Sequence, residues 1–221
     1  MTIKKIEIGV ELGKGWRLFK ANMGVLILGN LLATVVAAAT CGLLAGPLMV
    51  GMLLIAQRLL KGDPDKPQVG DVFRGFDSFI QTLLLLVITT VATSVLRYLL
   101  MIAGSIPVIV EWLVGLIVYA VGMWMFVFIA YEKMTAIGAI KKVFTLIGSG
   151  SFTMPLLFAM VVGLIGSLGL TLLCVVGGFF TLPLTYCLMA CCYDTLFGGD
   201  APPPVIDLNG VKIPPLSDLR L

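Results

Sequence analysis

Between residues 21 and 57 the chain runs for 37 residues without a charged side chain, and further uncharged stretches occupy 78–96, 112–131 and 143–193. A helix crossing a bilayer needs about 20 apolar residues, each adding about 1.5 Å of length. One straight helix over the first stretch would overshoot the hydrocarbon core by about 25 Å, so that stretch reads as two slightly short crossings. The last stretch has room for two as well, and each middle one holds a single crossing. Composition agrees, because 59% hydrophobic and 12% charged residues lie far from soluble usage, where roughly a quarter of residues are charged. Mean hydropathy is +1.09. The expected fold is therefore all-α, an integral membrane bundle of six transmembrane helices.

Helix breakers place the turns. Cys41-Gly42 to Gly46-Pro47 should reverse the first pair, Gly104-Ser105-Ile106-Pro107 the second, and Cys174 to Gly178 the third, with Pro183 interrupting the sixth helix. Both termini then lie on one side. Fourteen of the fifteen basic residues fall in segments expected on that side, leaving only Arg97 elsewhere. Positive charge marks the cytoplasmic side, so the termini should be cytoplasmic and the net charge of +3 is a topology signal. It gives no reason to expect a nucleic-acid partner. A cleaved signal peptide is not expected, because Glu7 and Glu11 sit among the lysines that precede the first apolar run.

A basic residue two positions before a phenylalanine recurs as Arg17-Leu18-Phe19, Arg74-Gly75-Phe76 and Lys142-Val143-Phe144, each time just before an apolar run. This divides a single transmembrane domain, 1–199, into three hairpin units, 5–62, 70–132 and 133–199. Each unit opens with a cytoplasmic interfacial amphipathic helix. Trp16, Arg17, Phe19, Arg74, Phe76, Lys142 and Phe144 are its expected interfacial anchors. On the first such helix Ile8, Leu12, Trp16 and Phe19 share one side and Glu7, Glu11, Lys14 and Arg17 the other. The second should start at an Asp71 N-cap and carry Val72, Phe73 and Phe76. The third should gather Ile137, Ile140, Phe144 and Ile147 on one face. Residues 200–221, rich in proline, should form a flexible cytoplasmic tail.

Small residues at four-residue spacing let membrane helices approach closely. Gly29, Ala33 and Ala37 form such a stripe in the first crossing, and Ala159, Gly163 and Ser167 another in the fifth; Thr89 and Thr93 repeat the spacing in the third. The expectation is that the stripes meet at the bundle centre, with the first and fifth crossings in closest contact. Arg97 is costly in lipid without a partner, and Glu111 lies about as far beyond the expected Gly104-Ser105 turn as Arg97 lies before it. The two should face each other as an intramembrane ion pair.

No histidine occurs anywhere, which removes the usual general base, the commonest transition-metal ligand and every serine-histidine or cysteine-histidine device. Neither a cofactor nor a metal is expected. Asp63 and Asp65 are explained by turn chemistry, and Cys187, Cys191 and Cys192 by apolar packing in a reducing compartment. Cys41 and Cys174 both fall at outer turns, where a disulfide would fit.

The runs Gly46-Pro47-Leu48-Met49-Val50-Gly51, Lys61-Gly62-Asp63 and Asp71-Val72-Phe73-Arg74-Gly75-Phe76 resemble a pattern in uncharacterised bacterial multi-span membrane proteins. Those proteins are related to the transmembrane domain of some glycerophosphodiester phosphodiesterases. The resemblance implies a helical bundle in the bacterial inner membrane and transfers no active-site residue. The first functional expectation is a non-enzymatic inner-membrane protein that organises lipids or partner proteins; its partners would be membrane lipids and a membrane protein or a second copy of the chain. The alternative is a transporter or channel for a small molecule, ion or lipid. Whether Thr89, Thr93, Arg97 and Glu111 line a cavity or sit in a dry bundle separates the two.

Overall fold

The computed structural model describes residues 7–102, 108–150, 152–172 and 174–198, together with two short strands in the tail. Eight α-helices and one 3-10 helix follow in order: α1 (Ile8–Ala21), α2 (Met23–Ala39), α3 (Ala45–Lys61), η1 (Val69–Ser78), α4 (Phe79–Ile102), α5 (Val108–Glu132), α6 (Ala136–Gly148), α7 (Thr153–Leu172) and α8 (Cys174–Phe197). A short helix followed by two long ones thus recurs three times. In the tail, Asp207–Leu208 pairs antiparallel with Val211–Lys212, so the described part of the expected extended segment is a small hairpin.

Three helical stretches, within Val69–Leu100, Ile109–Glu132 and Gly177–Phe197, are long and apolar enough to cross a membrane. The count rises to five if α1 with α2, bent by 86°, and α6 with α7, bent by 115°, each form one crossing. The chain is a multi-pass membrane protein. At 17 residues each, α2 and α3 are about 25 Å long, the shortened lengths that the 37-residue run requires.

The first turn is tighter than expected. It occupies residues 40–44, with Cys41 and Gly42 at φ 50° and 83°, and Gly46 and Pro47 already belong to the first turn of α3. Proline is at home there, because the first helical N–H groups have no partner to lose. The middle turn lies outside the described residues. Of the third expected turn, Cys174, Gly177 and Gly178 are helical, and residue 173 lies outside the described residues. α8 also runs continuously through Pro183. Cys41 carries a free, exposed thiol, while the Cys174 side chain lies outside the described residues.

η1 is the wedge on which the packing turns. It lies along α3, and a Cβ at Gly75 would overlap the Pro47 carbonyl oxygen, just as one at Gly51 would overlap that of Val72. Only two glycines permit this backbone-to-backbone approach. Three residues per turn stack Val72 and Gly75 on one line, which explains why the segment winds as a 3-10 helix. Its N-cap is Gln68; Asp71, expected in that role, sits at N3 and completes a capping box.

Burial is graded along the bundle. The C-terminal parts of α5 and α8 are closed in by α1, α3 and α7, so that every residue from Met123 to Ala130 is buried. Beyond Leu85, by contrast, no described side chain of α4 is buried, and Ile109 in the first turn of α5 is 72% exposed. Gly46 at the start of α3 rests against the Thr82 carbonyl in the first turn of α4. Met49 of α3 borders the same space as Thr89, Thr90 and Thr93 of α4. One end of the molecule is packed, and the other is open between α4, α5, α7 and α8.

Candidate functional site

The open end holds a cavity of about 570 Å³ lined by Arg97 of α4, Glu111, Gly115 and Tyr119 of α5, Gly163 and Ser167 of α7, and Leu182 of α8. A second space of about 440 Å³ shares Arg97, Gly115 and Tyr119 with it and adds Thr89, Thr90, Thr93 and Ser94. A third, of about 290 Å³, shares Thr89, Thr93, Val118 and Gly122 with the second and is walled by Ile88, Leu96, Val121, Met125, Ile140 and Phe144. Adjoining in that order, the three spaces line a groove whose residues pass from charged, through hydroxyl-bearing, to apolar beside α6, the first and third sharing none.

Arg97 and Glu111 do share a wall, but the expected ion pair is not formed, and no described residue pairs with either. Both are exposed at the mouth. A charge in or near lipid normally finds a partner or water, so this mouth is chemically unsatisfied by the protein itself. Thr89 and Thr93 donate to the Leu85 and Thr89 carbonyl oxygens of their own helix, at 2.8 and 2.6 Å, as helix threonines commonly do. Thr90 and Ser94 have no such bond among the described residues and keep their hydroxyls available.

The small-residue stripes are placed differently from expectation. Gly163 faces Tyr119 and Leu116 of α5, with a hypothetical Cβ 2.7 Å from the tyrosine ring, and Gly29 faces Met52 of α3 and Val72 of η1. Ala33 and Ala159 are buried, Ala37 borders the core, and Ser167 lies on the cavity wall. The first and fifth crossings are thus not each other's close partners. η1 takes the place beside α2 that the stripe argument assigned to α7, and α7 packs on α5 and α8.

At the packed end, aromatic rings gather around Trp124. Trp124 contacts Phe128, Phe152 and Phe197, with ring centroids 5.8, 5.1 and 6.3 Å away, and its indole N–H donates to the Pro155 carbonyl at 3.0 Å. Beside them Lys142 donates to Glu132 Oε1 and Oε2 at 2.6 and 2.5 Å and lies over the Phe128 ring at 4.4 Å. Tyr193 donates to the same carboxylate at 3.1 Å. Lys142 is one of the expected interfacial anchors. It turns inward because Glu132 is there to meet it, leaving Phe144, 60% exposed, as the outward member of that motif.

The other two motif copies are arranged differently. Arg17 is exposed while Phe19 is buried; Arg74 is exposed while Phe76 is only partly covered, between Phe73 and Phe79. Trp16 is exposed with Lys20 over its ring at 5.1 Å, the placement of a headgroup-level anchor. On α1, Glu11 departs from its expected solvent face: it is 2% exposed against α8, accepting from Lys14 at 2.8 Å and Thr195 at 3.1 Å. On α6, Ala136, Ala139 and Val143 face inward, while Ile137, Phe144 and Ile147 point out.

The aspartates gather on arginine. Arg58 pairs with Asp63 at 2.8 Å and Asp71 at 2.7 Å and donates to the Asp65 carbonyl at 3.1 Å, and Arg74 adds a 2.9 Å contact to Asp71. The Gln68 N–H donates to the same Asp71 carboxylate at 2.9 Å. This clamp ties the end of α3 to η1. Cys187, Cys191 and Cys192 are buried among apolar side chains of α8. Among the described residues no three histidine, cysteine, aspartate or glutamate side chains are grouped to hold a metal ion.

Comparison with protein-family models, with curated proteins and with solved structures gives no match.

Proposed function

We propose that this chain is a non-enzymatic, six-span protein of the bacterial inner membrane, with both termini cytoplasmic, that takes a membrane lipid into the groove between α4, α5, α7 and α8. The reading favours the lipid-transporting alternative over a purely organising role. The observation that carries it is the groove itself: an unpaired Arg97 and Glu111 at its mouth lead past Thr90 and Ser94 into an apolar slot. Charge at one end and hydrocarbon-like walls at the other suit an amphipath, whereas an ion or sugar would gain nothing from the slot. Six spans with cytoplasmic termini are supported by the three-fold element order and by the placement of fourteen of the fifteen basic residues. Relation to the transmembrane domain of glycerophosphodiester phosphodiesterases belongs to the same proposal and rests on the turn and interfacial residues named above.

Gly115 and Gly122 make the proposal testable, because a Cβ at either meets nothing within 4 Å and both line the groove. Leucine at either position should fill space that lipid occupies. Helix-interior glycine costs roughly 0.5–1 kcal/mol relative to alanine, so these variants should be at least as stable as the parent. Gly115→Leu and Gly122→Leu are expected to lower the lipid retained through purification by roughly tenfold, about 1.4 kcal/mol, read by native mass spectrometry. Unchanged retention in both folded variants would contradict the groove as the lipid site.

A further inference from the structure

The order of chemistry along the groove specifies the head of its ligand. Resting on the lipid-binding reading above, we infer that the mouth seats a zwitterionic phosphate-and-amine headgroup, Arg97 taking the phosphate and Glu111 the ammonium. Arg97 and Glu111 line one cavity, are exposed to it, and pair neither with each other nor with any described residue. Their formal charges cancel. An anionic head would satisfy Arg97 but leave Glu111 facing like charge, and a cationic head would do the reverse. A head carrying both charges pairs both groups and adds no net charge to a low-dielectric site. The guanidinium fork suits phosphate oxygens bidentately, and a primary ammonium supplies the donors a carboxylate accepts.

The rest of the molecule fits in register. Thr90 and Ser94 lie seven and three residues before Arg97, hence on the same side of α4 and within about 10 Å of it along the axis. Their unused hydroxyls are placed to donate to ester carbonyls below the head. Below them the slot at Ile88, Val121, Met125 and Phe144 is apolar. From Glu111 to Met125 the groove follows α5 for about 21 Å, more than the roughly 15 Å depth of one leaflet's hydrocarbon. An acyl chain therefore has room at full length.

The test is competition on the purified full-length chain in neutral detergent, with equimolar phosphatidylethanolamine, phosphatidylglycerol and phosphatidylcholine of matched chains, bound lipid being read by native mass spectrometry. Phosphatidylethanolamine should exceed phosphatidylglycerol by roughly tenfold, the equivalent of one lost charge pairing, with phosphatidylcholine between them because its quaternary amine donates no hydrogen bond. Arg97→Gln should weaken both phospholipids, whereas Glu111→Gln should raise phosphatidylglycerol and abolish the preference. Equal or better binding of phosphatidylglycerol by the parent chain, with lipid still lost in Gly115→Leu, would overturn the headgroup assignment while leaving the lipid site standing. No groove-dependent retention of any of the three would remove both. The parent competition decides the matter even where a variant folds poorly.

Discussion

Gly75→Ala is expected to destabilise the protein by about 3 kcal/mol, the upper end of what overpacking costs, although it adds a single methyl group. The new Cβ would overlap the Pro47 carbonyl oxygen and come within 2.5 Å of the Gly51 amide nitrogen, and both neighbours are backbone. A side chain could rotate aside; the α3 main chain cannot without giving up its own hydrogen bonds. Relief would require η1 to lift off α3, drawing Val72 out of the core and loosening the Asp71 clamp on Arg58. Gly70, in the same 3-10 helix, meets nothing within 4 Å, so Gly70→Ala should stay within about 0.5 kcal/mol of the parent. Thermal unfolding in detergent separates the two. Equal melting temperatures for Gly70→Ala and Gly75→Ala would show that η1 does not seat on α3.

Trp124→Ala should cost about 3–5 kcal/mol, the range for deleting a fully buried large aromatic side chain. Trp124 is completely buried, contacts three other rings and donates to the Pro155 carbonyl, so its removal leaves a cavity and loses a hydrogen bond to α7 together. Trp124→Phe keeps most of the packing and loses the hydrogen bond, for which about 0.5–1.5 kcal/mol is expected. If Trp124→Phe melts with the parent protein, the indole hydrogen bond to α7 is absent.

Long-range order in this fold was legible wherever it depends on one element at a time. Uncharged run lengths anticipated the long helices, and the repeated basic-x-phenylalanine motif anticipated a short helix before each pair. Which way a side chain faces was harder, because that depends on what another helix offers. Lys142 turns inward toward Glu132, ten residues earlier in sequence, and Glu11 is buried by Thr195, which lies at the far end of the chain. Neither partner is visible on a helical wheel. The stripe rule correctly marked Gly29 and Gly163 as close-contact positions but could not say with whom, since backbone proximity suits any neighbour.

The most consequential glycine pair was missed. Gly51 and Gly75 sit inside quoted motifs, yet their role requires η1 to wind as a 3-10 helix against α3, and periodicity analysis set for 3.6 residues per turn does not look for it. At the mouth of the groove, symmetry about the middle turn placed Arg97 and Glu111 on one wall and wrongly joined them. They line one cavity without pairing, because residue spacing about a turn does not say how far apart the two helices stand.

A photoactivatable phospholipid with its reactive group on the acyl chain, applied to the protein in its native membrane and mapped by peptide mass spectrometry, tests lipid occupancy of the groove most directly. Adducts should concentrate on groove residues such as Ile88, Leu96, Val121 and Met125, and Gly122→Leu should remove them while leaving labels on the outward residues Val87, Val91 and Leu99. Labelling spread evenly over the outward faces of α4 and α5, and insensitive to Gly122→Leu, would contradict the account.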